Sequence, residues 1–193
     1  MKKILVTLAL VASSCYAVFA QTNDAKVFTS KELGWSITIP EGWEDISEET
    51  LKQYEQKGQE MVKQSGNAPV DMSKVRMLAM FRNGRLNSFQ STIEPMTGGF
   101  TLEQTFRHGT RLIYEMLQSQ GLTADTSTGK ETINGREYLV LNTTLSTAQA
   151  KNIAQQTMYY RQIGMQVFTA AMLYNSETNK NALMNAFKNS AWK

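Results

Sequence analysis

The stretch that decides the fold is residues 131–174, ETINGREYLVLNTTLSTAQAKNIAQQTMYYRQIGMQVFTAAMLY, which predicts β-strands laid down one after another. Asn134 and Gly135 suit the two central positions of a type I′ turn, because both positions require a positive φ angle. Gly164 predicts a second hairpin. Met165 then begins the last strand, whose apolar residues fall on both faces. We therefore expect that strand to be central in a sheet that is covered on both sides.

Shorter patterns on either side predict two further hairpins and three helices. The hairpins pair residues 26–29 with 35–39 and 75–81 with 88–93. Period-two alternation turns Trp35, Ile37 and Ile39 toward the core. The helices begin at the capping residues Ser47, Thr101 and Ser176 and end near residues 64, 120 and 188. Strands joined by hairpins pair antiparallel, so the predicted class is α+β, a mostly antiparallel sheet with helices layered on it, in one domain over residues 27–193.

The first twenty residues have the pattern of a secretory signal peptide. Lys2 and Lys3 precede an apolar stretch that is too short to span a membrane, and small residues lead to a cleavage point after Ala20. Residues 21–26 are then expected to be a flexible tail. Cys15 leaves a second possibility open, a lipid anchor, although Ala12 stands where a large aliphatic residue is expected. Either pattern predicts an exported protein, which would be periplasmic, extracellular or anchored to a membrane as a lipoprotein. Neither pattern predicts a transmembrane helix once the signal peptide is removed.

Charge and residue counts exclude several functional classes. The chain has 20 basic and 17 acidic residues, and loss of Lys2 and Lys3 with the signal peptide leaves a net charge of +1. Basic residues spread this thinly do not predict nucleic-acid binding. Cys15 is the single cysteine and His108 the single histidine, so the usual zinc sites cannot be assembled. We predict no catalytic residue, no metal site and no cofactor.

Four residues are candidates for a binding surface, because aromatic and arginine side chains are enriched in protein interfaces. They are Trp43, Tyr159, Tyr160 and Arg161. Tyr159 and Tyr160 are adjacent on a predicted strand and must point to opposite faces, so only part of this set can be exposed.

Two segments resemble the PsbP-like superfamily. They are GWSITIPEGW at residues 34–43 and YYRQIGMQVFTAAMLYNSETNKNALMNAFKNSAWK at residues 159–193. The group includes DcrB-type exported bacterial envelope proteins, the PsbP subunit of the photosynthetic oxygen-evolving complex and a nuclear-import factor that binds Ran. The resemblance covers nearly all of residues 26–193. It implies an α/β/α sandwich and the binding of other macromolecules, and it transfers no functional residue, because Ile39, Pro40, Gly42 and Trp43 match at positions that look structural.

Three functions remain open on these grounds. The first is an exported, non-catalytic binding or accessory protein of the bacterial cell envelope, with another envelope protein or a small ligand as partner. The second is a carrier of a small molecule or lipid, with a pocket between sheet and helix under the loop at residues 66–73. The third is a hydrolase that uses carboxylates such as Glu94 or Glu137.

Overall fold

The computed structural model describes residues 25–64, 74–96 and 99–193. The predicted signal peptide, the alternative anchor at Cys15, most of the predicted tail and the predicted loop at residues 66–73 lie outside this part of the chain. The elements of the described part are β1 (Val27–Ser30), β2 (Trp35–Thr38), β3 (Glu44–Asp45), α1 (Glu48–Gln64), β4 (Arg76–Arg82), β5 (Ser88–Pro95), α2 (Leu102–Ser119), β6 (Thr123–Ile133), β7 (Arg136–Ser146), β8 (Ala154–Ile163), β9 (Gln166–Tyr174), α3 (Glu177–Lys188) and β10 (Ala191–Trp192).

Seven strands form the central sheet, in the order β3-β4-β5-β9-β8-β7-β6, and all neighbours pair antiparallel. β9 is the middle strand. Phe168 and Met172 on one of its faces and Val167 on the other are completely buried. The prediction of a central strand covered on both sides is therefore confirmed, because a strand buries both of its faces only where other elements cover the sheet on both sides.

Different elements cover the two faces of this sheet. The face that carries Phe168, called the α3 face below, packs against α3 and a small sheet of order β1-β2-β10. Trp35 of β2 joins the two sheets, with its ring centroid 5.0 Å from that of Phe168. The opposite face, called the α2 face, buries Phe106 of α2 against Tyr160 of β8. The predicted α+β class, with helices layered on a mostly antiparallel sheet, is confirmed.

The two tight turns form as their sequences predict. Ile133 pairs with Arg136, and the residues between them, Asn134 and Gly135, have φ angles of 52° and 73°. Gly164 has a φ angle of 57° in the turn between β8 and β9. One detail of the prediction is wrong: Met165 lies in that turn and not in β9, because the strand pairing starts at Gln166. The Met165 side chain is consequently 73% exposed.

Gly109 in the middle of α2 offers a stabilising substitution. A Cβ atom there would meet only the Tyr160 hydroxyl, at 3.8 Å, which is an ordinary van der Waals contact. Since alanine is the better helix former by about 1 kcal/mol, Gly109→Ala should raise the free energy of unfolding by roughly that amount, measured by urea denaturation. Gly121→Ala is the matched control, because Gly121 follows the same helix with a φ angle of +74° and should be destabilised by backbone strain alone. A loss of stability in Gly109→Ala would contradict the prediction.

Candidate functional site

A cleft of about 490 Å³ opens between α3 and the α3 face of the sheet, where β6, β7, β8 and β9 form its floor. Paired residues on neighbouring strands share a face, so the strand register defines two rows of floor side chains. One row runs Asp125, Thr144, Gln155 and Tyr174, and the other runs Ser127, Asn142 and Thr157. The same face that is apolar around Phe168 is thus polar at this end.

One side of α3 forms the wall of the cleft. Lys180, Met184 and Lys188 line it at intervals of four residues, which places them along one side of the helix. Lys188 Nζ lies 3.0 Å from a carboxylate oxygen of Glu131, and Lys180 Nζ lies 3.2 Å from one of Glu177. Both ammonium groups on this wall are therefore already paired with carboxylates.

Hydrogen bonds hold the inner part of the floor in place. Thr157 donates its hydroxyl hydrogen to Asn142 Oδ1 at 2.9 Å, and its oxygen lies 2.9 Å from the Tyr174 hydroxyl. Because Thr157 has only one hydrogen to give, Tyr174 must be the donor in the second bond. The chain of donors ends at Asn142, whose side-chain NH₂ group keeps both hydrogens for another partner.

Tyr159 connects the floor to the wall. Its hydroxyl donates to Glu131 Oε2 at 2.8 Å and lies 3.6 Å from the sulfur of Met184. Burial, and then the bond to Glu131, raise the pKa of the Tyr159 phenol above its ordinary value. Tyr159 therefore stays protonated and acts as a fixed donor to Glu131, which in turn holds Lys188.

The four residues predicted as a binding surface do not lie together. Trp43, Tyr159 and Tyr160 are buried, and only Arg161 is half-exposed. Trp43 folds back through a turn in which its N–H donates to the Pro40 carbonyl, and its ring packs edge-on against Phe81. Strand alternation and this turn direct the three aromatic rings inward. Of the four, only Tyr159 lines the cleft.

The two glutamates considered for hydrolysis lie on strands that are not neighbours. Glu94 lies on β5 and Glu137 on β7, with β9 and β8 between them, so their backbones are separated by about 14 Å. Burial raises the pKa of Glu94, whereas Glu137 forms an exposed ion pair with Lys130 at 3.0 Å. The two side chains therefore do not form a joint acid and base.

Metal-binding clusters and membrane-spanning helices are both lacking among the residues described. No group of three or more His, Cys, Asp or Glu side chains in those ranges is arranged to hold a metal ion. None of their helices is long and apolar enough to cross a membrane.

His108 is exposed on α2, as its position opposite the apolar stripe predicts.

The cleft contains residues that were not predicted from the sequence to be functional. Asn142, Thr144, Gln155 and Thr157 lie on the α3 face of β7 and β8, beyond the buried Val140 and Tyr159 of that face, and Asn142 and Gln155 are exposed. The change from Val140 to Asn142 and from Tyr159 to Thr157, two residues along each strand, was the available signal. A pocket between sheet and helix is present against α3. The predicted pocket, under residues 66–73, lies outside the described residues and stays a prediction.

Comparisons with known proteins bear on the fold. No protein-family model matches the chain, and no curated protein sequence matches it either. The structure is similar to the solution structure of cyanobacterial PsbP (CyanoP) from Synechocystis sp. PCC 6803, with a TM-score of 0.60. The match covers 94% of this chain and 99% of that chain at 14% sequence identity, so it concerns the fold alone. The chain has a PsbP-like fold, as the sequence resemblance predicts.

Proposed function

We propose that the chain is an exported, non-catalytic binding protein of the bacterial cell envelope that holds a small polar ligand in the cleft beside α3. The observation that carries this proposal is the polar floor. Asp125, Ser127, Thr144 and Gln155 point into the cleft, and their side chains make no hydrogen bond to the described part of the chain. Export is supported by the signal-peptide pattern, and a binding role by the PsbP-like fold.

Size and lining favour a small polar molecule over a lipid. The cleft volume lies within the range of roughly 300–1,000 Å³ that is usual for small-molecule sites. An acyl chain on this floor would remove hydroxyl, amide and carboxylate groups from water without giving them hydrogen bonds, which costs free energy for each group. A ligand with its own donors and acceptors restores those bonds.

Native mass spectrometry of freshly purified mature protein tests this proposal. We expect a bound mass in the wild type that is lost in Ser127→Trp, because the indole would fill the cleft from an exposed position on β6. Thr128→Trp is the matched control, since Thr128 is the next residue on the same strand, equally exposed, and on the opposite face. An apo mass in repeated wild-type preparations, or equal retention by both variants, would contradict the proposal.

A second candidate is docking to another envelope protein, favoured by two exposed apolar residues. Met165 is 73% exposed in the turn between β8 and β9, and Phe100 is 53% exposed before α2. The backbone N–H of Met96 donates to the Met165 carbonyl at 2.8 Å, which joins the end of β5 to that turn. A photo-crosslinker at residue 165 should capture one defined partner, and a crosslinker at residue 128 should not. Equal capture from both positions would count against this candidate.

A further inference from the structure

We infer that the cleft binds an uncharged saccharide, laid across the floor formed by β6, β7 and β8. This inference rests on the proposed function, because it names the ligand class of the same cleft. Three features carry it: the mixture of hydrogen-bond donors and acceptors on the floor, the balance of charge around it, and the open edge of the sheet on one side.

The floor offers donors and acceptors side by side. The Asp125 carboxylate only accepts, the free NH₂ group of Asn142 only donates, and Ser127, Thr144 and Gln155 can do both. Neighbouring strands place these groups about 4.8 Å apart across the floor and about 6.8 Å apart along each strand. A sugar ring carries several hydroxyl groups, and each can both donate and accept a hydrogen bond. Such a ring can therefore pair with the donors and with the acceptors of the floor.

Among the described residues that line the cleft, both cations are already paired with carboxylates. Lys188 is paired with Glu131, and Lys180 with Glu177. Asp125 makes no ion pair with any described residue, so the one uncompensated charge is negative. A phosphate or carboxylate ligand would meet this carboxylate and would compete with Glu131 and Glu177 for the two lysines. An uncharged ligand avoids both penalties, and Asp125 can still accept hydrogen bonds from its hydroxyl groups.

The open side of the cleft permits either a free sugar or a chain. β6 is the last strand of the sheet, and no strand of the described chain pairs with its outer edge. Its residues from 125 to 130 are exposed on both faces. A saccharide ring on the floor could therefore continue past this edge into further rings of a polymer without passing through protein.

NMR titration of the ¹⁵N-labelled mature protein tests the inference. The probes are glucose, galactose, N-acetylglucosamine and their β-1,4-linked disaccharides, with a soluble neutral polysaccharide as a separate arm. We expect chemical-shift changes at the amides of Ser127, Thr144 and Gln155 that persist at high salt, because an uncharged ligand is not screened. Stronger binding of the polysaccharide indicates a polymer source, and equal binding per ring indicates free sugar.

Substitutions at Asp125 separate a saccharide from a cationic ligand. Asp125→Asn keeps an acceptor oxygen and should change saccharide affinity only a few-fold. Asp125→Ala removes the acceptor and should weaken binding about tenfold. Asp125 is exposed and makes no hydrogen bond to the described chain, so both variants should fold. Equal losses in the two variants, together with salt-sensitive binding, would indicate a cation and overturn the inference.

The inference and the proposed function can fail separately. If native mass spectrometry shows a ligand that Ser127→Trp abolishes, but none of the saccharides shifts the floor amides, the saccharide class is wrong and the binding function stands. Cleft-dependent binding of inorganic phosphate, added as a further probe, overturns the saccharide class in the same way. If no bound mass is seen and no probe binds, both are wrong.

Discussion

Replacing Phe168 by alanine should lower the free energy of unfolding by about 3–5 kcal/mol. The Phe168 side chain is completely buried in the middle strand of the sheet. Its ring contacts Trp35 at a centroid distance of 5.0 Å and Trp192 at 5.2 Å, and these belong to the small sheet. The substitution therefore leaves a cavity between the two sheets and removes two edge-to-face aromatic contacts. Urea denaturation followed by circular dichroism should show a lower midpoint with an unchanged slope.

Met165→Ala provides the matched control for this experiment. Met165 lies three residues before Phe168 but is 73% exposed in the preceding turn. Truncating an exposed side chain usually changes stability by less than about 0.5 kcal/mol. Similar losses in the two variants would show that the small sheet does not depend on the ring of Phe168.

Local sequence signals were sufficient for the hairpins and helix starts that organise this fold. Asn134 and Gly135 adopt the positive φ angles that their residue types favour. Thr101 and Gln104 form the reciprocal capping box of α2. Such features depend on a few neighbouring residues, and they can therefore be predicted from the sequence.

Other strands could not be predicted because their cause is tertiary. β10 has two residues, and it exists because Ala191 and Trp192 pair with Ser36 and Trp35 of β2. Most of β6 shows no apolar alternation, since an edge strand exposed on both faces has no core side to mark. Pairing with β7 alone defines this strand over its eleven residues.

The candidate site could be predicted only in part, for a similar reason. Thr157 and Asn142 lie on the α3 face of predicted strands, and these polar residues mark where the apolar core on that face ends. Whether they lie under a helix or in a cleft depends on where α3 crosses the sheet, which no local pattern gives. The aromatic residues were predicted to bind a partner because such residues are enriched in interfaces. Trp43 and Tyr160, however, are buried in the core.

Asn87 is the residue that connects the β4–β5 loop to the start of α3. Its side chain is buried, with Nδ2 donating to the Asn83 carbonyl at 3.0 Å and Oδ1 accepting from the backbone N–H of Asn175 at 3.1 Å. Asn175 directly precedes Ser176, the N-cap of α3. Asn87 therefore fixes the segment from which the wall of the cleft begins.

Replacing Asn87 by alanine should cost about 2–3 kcal/mol of unfolding free energy, because it leaves a backbone donor and a backbone acceptor without partners. Hydrogen exchange should also accelerate in the first turn of α3, and ligand binding in the cleft should weaken because Lys180 lies in that turn. Asn83→Ala is the control: Asn83 is in the same loop, its side chain is exposed, and that side chain makes no hydrogen bond to any described residue. If urea denaturation gives both variants the same midpoint, the two bonds of Asn87 do not hold the start of α3.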